Sequence, residues 1–353
     1  MASKRRTAEP RAKGAPVEAA PPDEKALHHQ LLRSMLLQRR FEERCAEAYA
    51  IGRIGGFCHL YIGQEAVSTG TLSLLRPDDY VITTYRDHGQ ALARGIPSRA
   101  VMAELFGRID GCARGKGGSM HMFDKATNFL GGHGIVGGHI PIATGVGFAI
   151  KYRGGDQVIA CFFGEAAVNN GAFHEALNMA ALWKLPVLFI IENNRYGMGT
   201  AVERASAIND IYERAASYDM PRGQVDGQDV FAVRAAMKEA IDRARAEQVP
   251  TLLEVRTYRF MGHSMSDAVH STYRTKAELD EYLKRDPIAL LRARMEDAGT
   301  LTQEELEAMD AEVKAEVQDA WDFAEQSPEP PVEALFEDVL VDTTSDVLHA
   351  GRG

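Results

Sequence analysis

Apolar positions in the middle of the chain follow two periodicities in turn. Val158–Phe163 (VIACFF) is an unbroken apolar run ending at Gly164, the pattern of a strand buried on both faces. From Asn170 to Trp183, Phe173, Ala176, Leu177, Ala180 and Ala181 recur at helical spacing on one face, and Pro186 follows. Val187–Glu192 (VLFIIE) is a second buried-strand run. Strand, helix and strand in this order predict a right-handed parallel βαβ unit. Leu252–Arg256 predicts a later strand. Near the start, Leu27, Leu31, Leu32, Met35, Leu36 and Leu37 form a helical stripe that places the onset of order near Lys25. From Asp286 to about Glu325 the pattern is long, charged and helical, stopped by Pro328, Pro330 and Pro331. The expected fold is α/β, a mainly parallel sheet flanked by helices with a helical C-terminal region. The expected boundaries are a basic tail at 1–25, one α/β domain at 26–335 and a C-terminal tail at 336–353.

Composition narrows the partners. With 353 residues and 45% hydrophobic side chains the chain can bury a large core. Forty basic against fifty acidic residues give −10, which argues against nucleic acid. No apolar run reaches the roughly 18 residues that span a bilayer, so no membrane role is expected. Cys45, Cys58, Cys112 and Cys161 form no CxxC pair, which fits a reducing compartment and neither a disulfide scaffold nor a zinc knuckle. The first 22 residues are basic and proline-bearing without an apolar core segment, as in a solvated tail rather than a secretory signal or transit peptide. A bacterial cytoplasm is therefore expected in preference to a mitochondrial matrix.

Candidate chemistry concentrates where the βαβ strands end, since ligands of open parallel sheets sit beyond carboxyl ends. The first end supplies Gly164, Glu165 and Ala166, then Asn169 and Asn170; the second supplies Asn193, Asn194, Arg195, Tyr196 and Gly197. A carboxylate, an amide oxygen and backbone carbonyls are hard oxygen donors that suit Mg²⁺ with substrate phosphates completing its shell. The amino end of the helix at Asn170 is expected to face the same anion. On spacing alone, a helix-cap glutamate with asparagine turns is the favoured explanation of these residues. Upstream, seven of the seventeen residues from Gly131 to Gly147 are glycine. Gly145 and Gly147 are expected to allow close helix-on-sheet packing, and Gly134-Ile135-Val136-Gly137 to approach a ligand. No clean GxGxxG follows a strand, which disfavours a nicotinamide site. His59, His88, His133, His139 and His263 stand in glycine-flanked or polar contexts with no zinc spacing. Tyr85-Arg86 offers a ring and a phosphate-binding guanidinium, or with Asp87 a surface ion pair.

GFCHLYIGQEA (56–66), YRDHG (85–89), GKGGSMHMF (115–123), the glycine loop, NMAALWKLPVLFIIENNRYGMGT (178–200) and RTYRFMGHSMSD (256–267) together resemble the α subunit of the pyruvate dehydrogenase E1 component. The resemblance runs from about residue 30 to about 335, with six motifs in order. It implies a thiamin-diphosphate-binding fold and a cofactor shared with an E1 β subunit in an α2β2 heterotetramer. It also implies decarboxylation of pyruvate and transfer of the acetyl unit to the lipoyl group of an E2 acyltransferase. By motif match, Glu165, Asn194 and the Tyr196 carbonyl would hold Mg²⁺. Tyr85, Arg86 and His263 would contact the diphosphate, with Gly164 and Ala166 beside it. Gly134 and Val136 would approach the cofactor rings, and His59 and His263 would line the catalytic cleft. Phe57 and Gln64 fall in the same motifs. The loop His263–Arg274, with Ser264, Ser266 and Ser271, would order over the cofactor.

One departure stands out. The family pattern begins Gly-Asp-Gly and reaches Asn-Asn after about twenty-six residues; residues 167–192 supply twenty-six here, but Asp is Glu165 and the second glycine is Ala166. Glutamate keeps the charge and adds a methylene, and Ala166 brings a Cβ near the diphosphate, so a weaker hold on the cofactor is expected. The alternatives are an α subunit acting on acetoin or a branched-chain 2-oxo acid, or a non-catalytic assembly subunit with an altered cofactor motif.

Overall fold

The computed structural model describes residues 22–267 and 273–339. The bulk of the expected tails therefore lies outside the described residues, as does Ser271. Helix α1 (Pro22–Ala50) begins three residues ahead of Lys25, and its Leu31, Leu32, Met35 and Leu36 are buried as the stripe requires. α2 (Glu65–Leu72), β1 (Tyr80–Thr84), α3 (His88–Arg94) and α4 (Ser98–Leu105) follow. Next come β2 (Phe129–His133), α5 (His139–Tyr152), β3 (Ile159–Gly164), α6 (Gly171–Trp183) and β4 (Val187–Asn193). A two-residue hairpin, β5 (Tyr196–Gly197) and β6 (Thr200–Ala201), leads through α7 (Val202–Ala205) to β7 (Arg222–Asp226), α8 (Val230–Glu247) and β8 (Thr251–Arg256). The chain closes on α9 (Lys276–Leu283), α10 (Pro287–Asp297) and α11 (Gln303–Gln326).

Six strands form one parallel sheet in the order β2-β1-β3-β4-β8-β7. The expected βαβ unit is there: β3 and β4 are parallel neighbours in register from Ile159↔Val187 to Gly164↔Glu192. Period-2 geometry splits each strand between two cores. Ile159, Cys161 and Phe163 pack with α5 and α6, whereas Ala160 and Phe162 face α1, α4 and α8. A third core joins the α1 stripe to Leu291, Met295, Leu306, Met309 and Val313 of α10 and α11.

The long C-terminal pattern forms two helices, α10 and α11. Gly299 takes φ +66°, which ends α10. Thr302 and Glu305 then form a reciprocal capping box that starts α11. Gly145 and Gly147 also part company. A Cβ on Gly147 would lie 2.6 Å from Val187 Cγ2, so helix α5 needs glycine there to reach the sheet. A Cβ on Gly145 would meet nothing within 4 Å, because that position faces an open groove between α5 and α6. The packing role expected of Gly145 is thus corrected: it sits on the outer face of the helix.

Gly147→Ala is expected to destabilise the chain by about 1–3 kcal/mol through overpacking. Gly145→Ala is expected to be neutral or to stabilise by about 0.5–1 kcal/mol through helix propensity. Urea unfolding of both variants measures the contrast.

Candidate functional site

Because the sheet is wholly parallel, its strand carboxyl ends share one edge, and the connection reverses direction between β1 and β3. β1 releases Tyr85 and Arg86 there, β3 releases Glu165, β4 releases Asn194, and β8 leads to Arg259 and His263. A cavity of about 180 Å³ is lined by Gln64, Tyr85, Arg86, Val136, Gly164, Glu165, Ala166, Asn194, Tyr196, Arg259 and His263. It joins a wider cleft of about 610 Å³ through Tyr85, Val136, Met198 and His263; Phe57, His59, Gly134, Ser264 and Ser266 line the wider part. The described residues carried over from the resemblance, from Phe57 to Ser266, therefore line one continuous cleft, whereas His88, His133, His139, Asn169, Asn170, Asn193 and Arg195 lie outside it. Of the segment expected to order over the cofactor, 268–272 lies outside the described residues.

Charge is concentrated and buried. Glu165 is 4% exposed, and burial raises its carboxyl to about 7 despite the Arg259 and Arg86 guanidiniums. Its Oε1 is buried with no hydrogen-bond partner. Glu192 also lines the cavity and is pushed up to about 7 by burial, with Glu165 contributing. It accepts hydrogen bonds from the Tyr61 hydroxyl and from Gln90 Nε2 at 3.0 Å. Behind it, Glu42 accepts Tyr61 N–H at 2.6 Å and pairs with His88 Nδ1 at 2.9 Å, while His88 Nε2 meets Ser119 Oγ at 2.8 Å. His88 is thus spent on support.

The donor set fits a divalent cation with a phosphate ligand. Glu165 leaves one carboxylate oxygen unpaired. Asn194, which lines the cavity, points its Nδ2 at Gln64 Oε1 (3.1 Å), and its Oδ1 accepts Tyr196 N–H at 3.4 Å. Arg259 Nη1 approaches Asn194 Oδ1 at 3.5 Å and the Tyr196 carbonyl at 3.4 Å, distances too long for strong hydrogen bonds. The two neutral oxygens expected to bind Mg²⁺ therefore lie side by side in front of the Arg259 guanidinium. A Cβ on Gly164 would meet nothing within 4 Å, so space is kept at the end of β3. Ala166 fills part of its own: a Cβ on Gly197 would come within 2.6 Å of the Ala166 methyl. The added methyl thus packs toward the β5–β6 hairpin as well as lining the cavity.

Three rings meet where cavity and cleft join. His59 lies 4.6 Å from Tyr85 and 5.1 Å from His263, centroid to centroid. Burial, then the nearby Arg86, lowers His59 to about 2 and His263 to about 4, so both are neutral at pH 7. Nδ1 of each has no hydrogen-bond partner. His139 instead uses Nε2 on the Phe162 carbonyl at 2.7 Å and is part of the core.

Two expectations are corrected. The amino end of α6 does not line the cavity: a 3₁₀ turn over Glu165–Asn169 intervenes, and Asn170 Nδ2 donates to the Val136 carbonyl at 3.0 Å. Asn169 likewise ties to the Ala205 carbonyl at 3.2 Å. The surface ion pair offered for Arg86 is absent too. Arg86 is 5% exposed, and burial lowers it to about 10. Its Nη1 and Nη2 donate to the carbonyls of Leu60 (2.7 Å) and His263 (2.8 Å). Arg259, Glu192 and Tyr61 were missed by residue-type reasoning. The signal for Arg259 was an arginine between Tyr258 and Phe260 just past a buried strand. For Glu192 it was a charge closing an apolar run.

The chain matches the family model of the dehydrogenase E1 component over residues 33–333. It is 53% identical over 310 residues to the pyruvate dehydrogenase E1 component subunit alpha of Rhizobium meliloti (strain 1021), covering 88% of each chain. To the subunit of the same name from Zymomonas mobilis it is 48% identical over 314 residues, again 88% of each. To that of Porphyra purpurea it is 47% identical over 317 residues, 87% of this chain and 92% of the relative.

A carboxyl raised to about 7 from 4.5 on folding binds its proton more tightly in the folded chain. Its contribution to stability is present below pH 4.5 and is lost as pH rises to about 7, on the order of 3 kcal/mol at about 1.4 kcal/mol per pH unit. Without added metal, Glu165→Gln is expected to flatten the fall in urea stability between pH 5 and 7. An unchanged slope contradicts the assignment.

Proposed function

We propose a function from one premise: the chain belongs to the dehydrogenase E1 component family, so thiamin diphosphate is its cofactor and a β chain its partner. It serves as the α subunit of a pyruvate dehydrogenase E1, the name its relatives at 45–53% identity carry. When bound, thiamin diphosphate supplies the carbanion and the electron sink for decarboxylating a 2-oxo acid. Pyruvate then loses CO₂, and the remaining two-carbon unit reaches the acetyl level as the lipoyl disulfide of an E2 acyltransferase is reduced. An α2β2 assembly is the arrangement we assign.

Glu165, Asn194 and the Tyr196 carbonyl are the donors we assign to Mg²⁺, and the observation that carries this is the buried, unpartnered Glu165 oxygen in the cavity Asn194 and Tyr196 also line. Arg86 and Arg259 bring two guanidiniums to the diphosphate side, with Tyr85 and His263 beside them. Val136 and Gly134 border the route to the wider cleft, where apolar walls exclude water from the rings. His59 and His263, held neutral, can each donate or accept one hydrogen bond and so move a proton to or from a substrate oxygen. Three buried thiols and one half-buried thiol, all free, suit the reducing bacterial cytoplasm assigned here.

Calorimetry on the α chain co-expressed with its β subunit tests the reading. Thiamin diphosphate is expected to bind only with Mg²⁺, and Glu165→Gln to weaken that binding by at least tenfold. Turnover with pyruvate, 2-oxobutyrate, acetoin and branched-chain 2-oxo acids is expected to be fastest with pyruvate. Binding without turnover on any of these excludes the enzyme reading, and no Mg²⁺-dependent binding favours an assembly role.

A further inference from the structure

Helix α9 stands outside the cleft, yet two of its side chains reach the loop that presents the Tyr196 carbonyl. Glu278 accepts the Tyr196 hydroxyl on both carboxylate oxygens, at 3.0 Å each. It also accepts the Tyr258 hydroxyl at 3.1 Å. One turn on, Tyr282 stacks on Tyr258 with centroids 3.9 Å apart and planes 4° from parallel. The Tyr282 hydroxyl accepts Arg195 Nη1 at 2.7 Å. Residues four apart share a helix face, so one face of α9 holds consecutive residues of the loop, Arg195 and Tyr196.

The loop needs holding. Arg195 and Met198 both adopt left-handed backbone, φ +75° and +56°, without being glycine. Such a conformation is strained for a residue with a Cβ and persists only where surroundings impose it. Arg195 is fixed by Tyr282 and by Glu203 at 2.9 Å, and its carbonyl accepts Val202 N–H at 3.1 Å. Of the two residues between the strained ends, Tyr196 is the one whose carbonyl faces Arg259 Nη1, at 3.4 Å.

Glu278 also forgoes a local role. Thr275 caps α9 and accepts Glu278 N–H at 3.1 Å, the first half of a capping box. In α11 the equivalent Glu305 returns its carboxylate to the Thr302 N–H at 2.8 Å. Glu278 sends its carboxylate to the two tyrosines instead. A helix that gives up half of a local cap for a distant contact marks a place where another demand outweighs local stability.

We propose that Glu278 is a positioning residue for the metal loop, setting the direction of the Tyr196 carbonyl through the Tyr196 hydroxyl, with Tyr282 bracing Arg195 alongside. The inference rests on the reading that this carbonyl is a Mg²⁺ ligand. Supporting groups behind a metal ligand typically carry 10- to 100-fold in metal affinity.

The test uses the α chain co-expressed with its β subunit and reads thiamin diphosphate binding across a Mg²⁺ titration. Glu278→Ala and Tyr196→Phe remove the same hydrogen bond from opposite ends, and the second keeps the backbone carbonyl. Each is expected to raise the half-saturating Mg²⁺ about tenfold, with cofactor binding regained at high Mg²⁺. The double variant is expected to go no further than the worse single, and Glu278→Gln, which keeps one acceptor, to fall between parent and Glu278→Ala. A half-saturating Mg²⁺ within twofold of the parent in both singles overturns the inference. So does a loss of cofactor binding that is equal at every Mg²⁺ concentration. If the parent itself shows no Mg²⁺ dependence, the metal reading falls and takes this inference with it; if only the variants match the parent, the metal reading stands.

Discussion

Taking an ionised carboxylate out of water costs several kcal/mol unless partners replace the lost solvent. Glu165 and Glu192 both lie almost without exposure in one cleft, each pushed up toward neutrality. Glu192 is tolerated because two donors, Tyr61 and Gln90, converge on it and Glu42 fixes Tyr61 from behind. Glu165 has no side-chain donor: backbone N–H groups of Glu165 and Asn194 and the field of Arg259 and Arg86 oppose its burial, and its Oε1 is left unpartnered. The asymmetry separates a carboxylate that holds the floor from one left free for a ligand. A parallel sheet permits this, because it delivers several chain segments to one edge while helices cover both of its faces.

The fold was legible where periodicity was strong. VIACFF and VLFIIE are unbroken apolar runs, and they form the central strands β3 and β4 with the helix between them. β1, β2 and β7 were not legible. YVITT is short, FLGGH carries two glycines, and RGQVD is half polar, so none shows a pattern that outcompetes a loop. They become strands because a neighbour already in place pairs with them. The break between α10 and α11 is written in Gly299 and the Thr302–Glu305 pair, which separate the two charged helical stretches.

Motif matching brought the site residues together more completely than residue chemistry did. Spacing alone left Glu165 and Asn194 open to a plain capping role, and only the adjacency of β3 and β4 puts them on one cavity. The supporting residues were hidden for a physical reason. Tyr61 and Gln90 lie 131 and 102 positions from the glutamate they serve, and no local pattern encodes such a distance. Arg86 shows the opposite failure: an exposed ion pair is the ordinary fate of Arg beside Asp, yet here the guanidinium clamps two carbonyls and joins β1 to the His263 segment.

The contact between the Ala166 methyl and Gly197 binds two stretches of chain that are thirty-one positions apart into a single steric agreement. Between them there is room for one methyl group, and the β3 end has taken it. A hairpin transplanted from a relative that carries Gly-Asp-Gly, if it brought any side chain at the Gly197 position, would collide here although it sat comfortably in its donor. Chimaeras and divergent lineages must therefore exchange these two segments together or not at all.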